Sequence, residues 1–185
     1  SCQQEVDLGV NAGETATVSF NVNAPASRAY SDGLTATRLQ YAVYDAKGDL
    51  LPKLTVTDGK INGSETVKLQ LTTGNTYSVI FWAAAEGAPY TVDFANKTMT
   101  VDYNGALSND ETRDAFTGYF NTADGHKWYS AALPINITLT RPFAKLRVIT
   151  TDVADLEKLG LEAKSAKVVY TTPYRSTFNA ATGTA

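Results

Sequence analysis

The side chains that most often perform acid–base or nucleophilic chemistry are scarce in this 185-residue chain. It contains one histidine, His126, and one cysteine, Cys2. A Ser-His-Asp triad would have to use His126, and no Gly-x-Ser-x-Gly nucleophile motif is present. The oxygen-rich loops at 58–62 and 121–124 do not match the spacing of an EF-hand calcium loop. We therefore predict no catalytic residues, no metal site and no cofactor.

The densest acidic cluster comprises Asp110, Glu111 and Asp114. Glycosidases use two carboxylates about 5–10 Å apart, so this cluster is a candidate for a catalytic pair. The run that begins at Ser108 has the spacing of a capping box, with acidic residues where the first turn of a helix favours them. The pattern therefore predicts a short helix from Ser108 through Phe116, with the acids as helix caps rather than as an active site.

Composition excludes two further classes of protein. Sixteen Lys and Arg stand against 19 Asp and Glu, giving a net charge of −3 without a basic block, whereas a nucleic-acid binder shows a basic patch. No apolar run approaches the ~20 residues of a membrane-spanning helix. Hydrophobic residues make up 43% of the chain, which is enough for a folded core. We expect a folded domain with no nucleic-acid partner.

Alternation of apolar and polar residues dominates the chain and predicts strands. A nearly continuous apolar run at 76–85 predicts a central strand that is covered on both faces. Further strands are predicted at 16–23, 39–45, 50–57 (an edge, because of Pro52), 67–71, 90–94, 98–103, 135–140, 143–150 and 166–171, with a short helix from about 151 to 160. Such closely spaced strands indicate an all-β, two-sheet Greek-key β-sandwich with one or two short helices.

The stretch 117–132 has no clear period and is rich in aromatic residues. It contains Tyr119, Phe120, Trp128 and Tyr129. Irregular segments of this length are uncommon unless they are functional or packed surface loops. Its aromatic rings could stack on a sugar, or they could form a hydrophobic lid over one end of the sandwich, which is the interpretation we favour.

The N-terminus begins Ser-Cys-Gln-Gln, with a small residue directly before Cys2. This start resembles the end of a bacterial lipoprotein signal peptide, which is cut just before a cysteine that then receives a lipid. The resemblance implies that Cys2 attaches the protein to lipid of the outer membrane. The other interpretation is an exposed cysteine in a polar tail.

Three segments together resemble the fimbrillin families of Bacteroidales, the subunits of type V pili. They are residues 23–30 with the strand 39–45, residues 133–148, and residues 174–183. The resemblance implies a transthyretin-like sandwich as the N-terminal half of a two-domain lipoprotein in the fimbrium at the cell surface. The implied divisions are a lipoprotein tail at 1–15, the sandwich at 16–172 with strand 16–23 removable, and a linker or the start of an absent second domain at 173–185.

The resemblance also implies an assembly mechanism. In polymerising members, a trypsin-like protease cuts after an arginine in the loop that follows the first strand, and a strand from a neighbouring subunit fills the exposed groove. Carried onto this chain, the cut falls between Arg28 and Ala29 and removes the strand with Val18, Phe20 and Val22. Donor-strand complementation of this head-to-tail kind propagates as a filament. Arg28 as an ordinary solvated loop residue is the other interpretation.

The sequence therefore favours a structural subunit or anchor of an adhesive pilus, whose partners are other pilus subunits arranged head to tail. The alternative is a monomeric, lipid-anchored surface protein that binds a glycan or a host or bacterial surface protein through the aromatic stretch 117–132. An enzyme is the weakest of the three hypotheses, because no nucleophile–base pair is present.

Overall fold

The described residues form an all-β fold with one short α-helix and two 3-10 turns. The computed structural model describes residues 13–24, 35–105, 110–122, 134–143, 153–162, 169, 171 and 175–185. Within these ranges the strands are β1 (Thr15–Asn23), β2 (Arg38–Tyr44), β3 (Val56–Lys60), β4 (Ser64–Thr72), β5 (Ser78–Ala84), β6 (Tyr90–Asp93), β7 (Thr98–Val101), β8 (Ala115–Asn121), β9 (Ile135–Thr138) and β10 (Thr177–Asn179), and the helix is α1 (Val153–Lys158).

The described strands form three sheets. The first sheet has the order β4-β1-β9, the middle sheet β3-β2-β5-β8, and the small sheet β10-β7-β6. All described pairs are antiparallel except β1 with β9, which is parallel. A bridge between Thr117 of β8 and Thr140, just after β9, links the middle sheet to the first sheet. The all-β sandwich predicted from the sequence is confirmed.

The middle sheet is buried on both faces because β5 carries apolar residues at nearly every position. Val79, Phe81 and Ala83 of β5 face the first sheet and belong to one core cluster. Ile80 and Trp82 face the small sheet and belong to a second cluster. The prediction of a doubly covered central strand is thereby confirmed. The two-sheet expectation did not include the small sheet, which adds a third layer.

The helix predicted from Ser108 through Phe116 is wrong. Among the described residues 110–116, a 3-10 turn forms at Glu111–Arg113, and Phe116 already lies in β8. The carboxylate of Asp110 accepts a hydrogen bond from the Thr112 backbone N–H at 3.1 Å. An acidic cap therefore forms, but it caps only this single turn. The apolar residues that follow pair with β5 instead of continuing the turn.

The prediction of an irregular segment at 117–132 is wrong for residues 117–121, which belong to β8. The strand predicted at 50–57 is also wrong in its first half. Pro52 starts a 3-10 turn, Pro52–Leu54, and the strand begins only at Val56. As predicted, that strand lies at the edge of its sheet.

The remaining local predictions fare better. The strands at 16–23, 39–45 and 67–71, the hairpin around Asn96 and Lys97, and the short helix are found within a few residues of their predicted bounds. The strands predicted at 143–150 and 166–171 lie almost wholly outside the described residues.

The C-terminal residues add to the small sheet. Thr177–Asn179 pairs with β7, and Phe178 is buried in the same cluster as Trp82. The sequence placed these residues in a linker or in the start of an absent domain. The local sequence does not predict this strand, because its three residues pair with β7, almost 80 positions earlier in the chain.

Candidate functional site

The residues predicted as a removable strand form β1, the central strand of the first sheet. Apolar and polar residues alternate along it, so one face is buried and the other meets solvent. Its inward residues are all apolar and almost completely buried. They are Ala16 (7% exposed), Val18 (2%), Phe20 (0%) and Val22 (0%).

β1 is held on both sides by backbone pairing. Against β4 it pairs antiparallel along its whole length, from Thr15 opposite Thr72 to Asn23 opposite Ser64. Against β9 it pairs parallel over four residues, beginning with Phe20 opposite Ile135. β4 and β9 therefore contact the same strand from opposite sides. Without β1, the two would be separated by a gap of about two strand spacings, roughly 9.5 Å.

Phe20 is the largest of the buried side chains of β1. Its ring centroid lies 5.5 Å from that of Phe81 and 5.1 Å from that of Phe120, the latter in an edge-to-face arrangement. Such aromatic pairs contribute about 0.5–1.5 kcal/mol beyond the burial of their area. Phe20 thus anchors β1 to the middle sheet.

The groove that β1 occupies is lined by apolar side chains of four strands. Its β4 wall consists of Val67, Leu69 and Leu71, its β9 wall includes Ile137, and its floor includes Phe81 and Phe120. All four inward side chains of β1 are apolar. The groove therefore binds the strand through complementary shape, apolar contact and backbone hydrogen bonds.

A short polar contact crosses the outer face of the first sheet. The Asn21 amide Nδ2 donates to Asn136 Oδ1 at 3.3 Å, and the Thr66 hydroxyl donates to Asn21 Oδ1 at 3.3 Å. Asn21 therefore bridges β4 and β9 from the solvent side. Exposed hydrogen bonds of this kind contribute little to stability. They form in one register of the three strands and therefore favour that register over others.

The small sheet packs on the middle sheet through the second apolar cluster, and tyrosine hydroxyls add polar contacts between the two sheets. The buried Tyr44 hydroxyl donates to the Phe94 carbonyl at 2.6 Å, and the Tyr90 hydroxyl donates to the Arg113 carbonyl. Burial raises the pKa of Tyr44, and it raises the pKa of Tyr90 to about 12. Both hydroxyls therefore stay protonated and act as donors at neutral pH.

Two cations complete this attachment. The Lys97 ammonium lies 4.7 Å from the centre of the Tyr44 ring. The Arg113 guanidinium donates to the Asp102 carbonyl at 2.8 Å and pairs with Asp110 at 3.2 Å. A hydrogen bond from the Thr112 hydroxyl, with the Arg113 charge in a smaller role, lowers the pKa of Asp110. Asp110, one member of the acidic cluster, therefore has structural partners in this turn.

The structure describes two of the aromatic residues that were predicted as possible ligand contacts, and the two differ in exposure. Tyr119 is 41% exposed, whereas Phe120, its neighbour on β8, is 5% exposed and packs on Phe20. Successive residues of a strand point to opposite faces, so the two rings do not share a surface. The other predicted site residues lie outside the described ranges; they are Cys2, Arg28, Ala29, Trp128 and Tyr129.

Sequence reasoning did not identify the two residues that contact β1 on the outer face of the first sheet. Thr66 and Asn136 are ordinary polar positions of their strands, and only the pairing of β1 with both strands gives them a role. In the part of the chain that the structure describes, no cluster of three or more His, Cys, Asp or Glu residues could hold a metal ion. None of the described helices is long and apolar enough to cross a membrane.

These features define a class of protein, an all-β sandwich in which the first described strand lies at the centre of a sheet. Apolar side chains of that strand attach its sheet to the middle sheet. The chain belongs to a family of unknown function (DUF6562), whose model matches residues 5–185. No curated protein matches the chain.

Two solved structures have limited similarity to it. One is a Bacteroides thetaiotaomicron protein (DUF1812) with a provisional description as polysaccharide binding, at 14% identity and a TM-score of 0.47; the match covers 68% of this chain and 47% of that one. The other is a fimbrial assembly protein from Parabacteroides distasonis, at 18% identity and a TM-score of 0.37, covering 69% and 53%. The chain spans about half the length of each.

Proposed function

We propose that this protein is a structural subunit or anchor of an adhesive cell-surface pilus and that it assembles by protease-triggered donor-strand exchange. One observation carries the proposal: β1, the first strand among the described residues, lies between β4 and β9 and fills the core with four apolar side chains. Removal of a strand in this position opens a groove rather than trimming an edge.

The connectivity makes β1 separable. It ends at Asn23, and the next described strand begins at Arg38. A single cut in the connection between them detaches β1 from everything that follows it in the chain. The proposed cut between Arg28 and Ala29 falls within this connection.

The energetics favour refilling of the open groove. Burial of a Val or Phe side chain contributes about 1.5–3 kcal/mol, and each ladder hydrogen bond contributes about 0.5–1.5 kcal/mol net. An empty groove would expose this apolar surface together with two rows of unpaired backbone groups, which attract another strand. A strand supplied by a neighbouring subunit satisfies both, and the head-to-tail contact extends into a filament.

Within the same proposal, Cys2 carries the lipid that holds the protein on the outer membrane. Lipid attachment and strand exchange are separate claims. An anchor would keep β1 in place at the base of the fibre, whereas a stalk subunit would lose it.

Limited digestion of the full-length gene product with a trypsin-like protease tests the proposal. We expect one dominant cut, a new N-terminus at Ala29, and detergent-resistant ladders on gels. Arg28→Ala should abolish the cut and the ladders. Lys47→Ala is the matched control, because Lys47 lies in an exposed turn at 45–49 and should leave both unchanged. A cleaved protein that remains monomeric would contradict the stalk role.

The second candidate function is binding of a glycan or surface protein, and the exposure of Tyr119 favours it. An exposed aromatic ring on a rigid strand offers a stacking surface for a sugar. If this is the function, Tyr119→Ala should weaken binding in a glycan screen at least tenfold, while Tyr119→Phe should retain it. Equal binding by Tyr119→Ala would remove this candidate.

A further inference from the structure

The groove is not uniform along its length, and its shape can be inferred from the strand that fills it. The inward residues of β1 run small, medium, large, medium: Ala16, Val18, Phe20 and Val22. Protein interiors are packed at the density of organic crystals, so each of these positions presents a space of a particular size. A strand that replaces β1 has to match this order of sizes.

The space around Phe20 dominates the selection. The ring is completely buried between Phe81 and Phe120, with centroids at 5.5 and 5.1 Å. A smaller side chain there leaves a cavity, and an aromatic ring two residues away meets a space filled by a valine. One aromatic position therefore fixes the register, because a slip of two residues creates a cavity and a clash together.

The outer face adds a weaker selection at the next residue. Asn21 bridges Asn136 of β9 and Thr66 of β4, both at 3.3 Å. An amide directly after the aromatic residue can repeat both contacts, because it carries a donor and an acceptor. Leucine or alanine at this position makes neither.

The direction of the strand also follows from the walls. β1 pairs antiparallel to β4 over nine residues and parallel to β9 over only four. Antiparallel pairing is slightly more stable per residue, so the longer wall favours an occupant that runs as β1 does.

We propose that the groove selects a donor strand of defined chemistry: a nine-residue extended segment of another subunit, antiparallel to β4, with an aromatic residue in the Phe20 space, β-branched residues two positions before and after it, and an amide directly after it. This inference rests on the proposed function for its partner. The selection rule itself is a property of the groove between β4 and β9.

Two composition-preserving exchanges in the intact chain test the rule. Val18→Phe with Phe20→Val moves the ring by one inward position. Thr17→Ser with Ser19→Thr exchanges two residues that are not on the inward face and is the matched control. We expect the inward exchange to raise the unfolding equilibrium constant at least 100-fold and the control to change it less than threefold. An inward exchange within threefold of the parent chain would overturn the rule.

Binding in trans tests the same rule on a separate strand. The chain is cleaved after Arg28, unfolded in urea to release β1, and refolded with fluorescent nine-residue peptides. The parent peptide carries the sequence of Thr15–Asn23, and the test peptide carries the Val18/Phe20 exchange. We expect retention of the parent peptide through gel filtration and at least 100-fold weaker binding of the exchanged one. An Asn21→Ala peptide should bind about two- to threefold more weakly.

The outcomes separate the rule from the proposed function. Parent-peptide binding with rejection of the exchanged peptide supports the rule, even if cleavage of the full-length product yields no ladders and the pilus role fails. Equal binding of both peptides, or no binding of the parent peptide, overturns the rule even if ladders form.

Discussion

Two covers lie on opposite faces of the middle sheet, and they are attached by different means. The first sheet reaches it through the apolar inner face of β1, with Phe20 between Phe81 and Phe120. The small sheet also packs on it through an apolar cluster that contains Trp82, and buried hydroxyl contacts such as that of Tyr44 with the Phe94 carbonyl add to this packing. The first attachment depends mainly on apolar shape, whereas the second depends on apolar shape and on particular polar atoms.

This difference bears on which cover can be exchanged. A buried hydroxyl that loses its partner leaves an unsatisfied polar group, which costs about 1–3 kcal/mol. An apolar strand can be replaced by any other strand of matching size and alternation. Replacement of β1 would therefore require a strand of matching apolar side chains, whereas replacement of the small sheet would also require new partners for its buried polar groups.

The largest expected effect comes from the anchor of the first cover. Phe20→Ala should lower the free energy of unfolding by about 3–5 kcal/mol, because it removes a fully buried ring and leaves a cavity. Urea titration at neutral pH measures the change. Ser19→Ala, on the same strand but not on its inward face, is the control and should stay within about 0.5 kcal/mol. A loss below 1 kcal/mol for Phe20→Ala would mean that β1 contributes little to the core.

The next effect tests the second cover. Tyr44→Phe removes one of two hydrogen bonds to the Phe94 carbonyl, the other coming from the Lys97 backbone N–H at 3.3 Å, and should cost about 0.5–1.5 kcal/mol in the same titration. Tyr119→Phe removes an exposed hydroxyl from the same sheet and should cost less than about 0.5 kcal/mol. If the two variants behave alike, the Tyr44 hydroxyl adds nothing measurable to the attachment of the small sheet.

Alkaline pH should weaken the attachment of the second cover. Burial raises the pKa of Tyr90 to about 12 and also raises that of Tyr44, whereas an unfolded tyrosine titrates near 10. As pH rises, the two tyrosines lose their protons at a lower pH in the unfolded chain than in the folded one. Their contribution to the free energy of unfolding is therefore fully present below about pH 10 and decreases as pH approaches 12. The double variant Tyr44→Phe/Tyr90→Phe should show a shallower fall between pH 10 and 12. An unchanged slope would contradict this origin.

The smallest effect concerns Lys97. Its ammonium lies 4.7 Å from the centre of the Tyr44 ring, and Lys97→Ala should cost about 0.5–1 kcal/mol through loss of the cation–π contact. Lys97 has a positive φ of 58°. Alanine at this position would keep the same φ, so the backbone strain is the same in the parent chain and in the variant. Lys47→Ala, in the neighbouring turn, is the control and should be neutral. Equal values for both variants would exclude the cation–π contribution.

Sequence alone predicted the strands whose pattern is local. β1 alternates strictly, and β5 is apolar at nearly every position, so both were found with nearly correct bounds. β8 was missed because its burial does not alternate: Ala115, Phe116 and Thr117 are all buried. Gly118 hides the pattern further. A Cβ there would come within 2.8 Å of the Ile137 side chain, so the position requires glycine for a reason that lies in another strand.

The candidate site was predicted in part for the same reason. Val18, Phe20 and Val22 share a face by alternation alone, and the structure places all three in one core. That β1 pairs parallel with β9 could not be predicted, because this contact joins residues more than 110 positions apart. The pairing of Phe120 with Phe20 likewise required the fold, and it turned a predicted ligand contact into a core residue.

The central claim is that β1 leaves the sandwich before a subunit joins another. A reversible lock between β1 and β4 tests it most directly. Thr17 lies opposite Gln70, and facing positions on antiparallel strands have Cα atoms about 4.5–5.5 Å apart, within reach of a disulfide. We expect a full-length Thr17→Cys/Gln70→Cys protein, cleaved at Arg28, to form detergent-resistant ladders when reduced and to remain monomeric when oxidised. Ladders of equal extent in both states would contradict the claim.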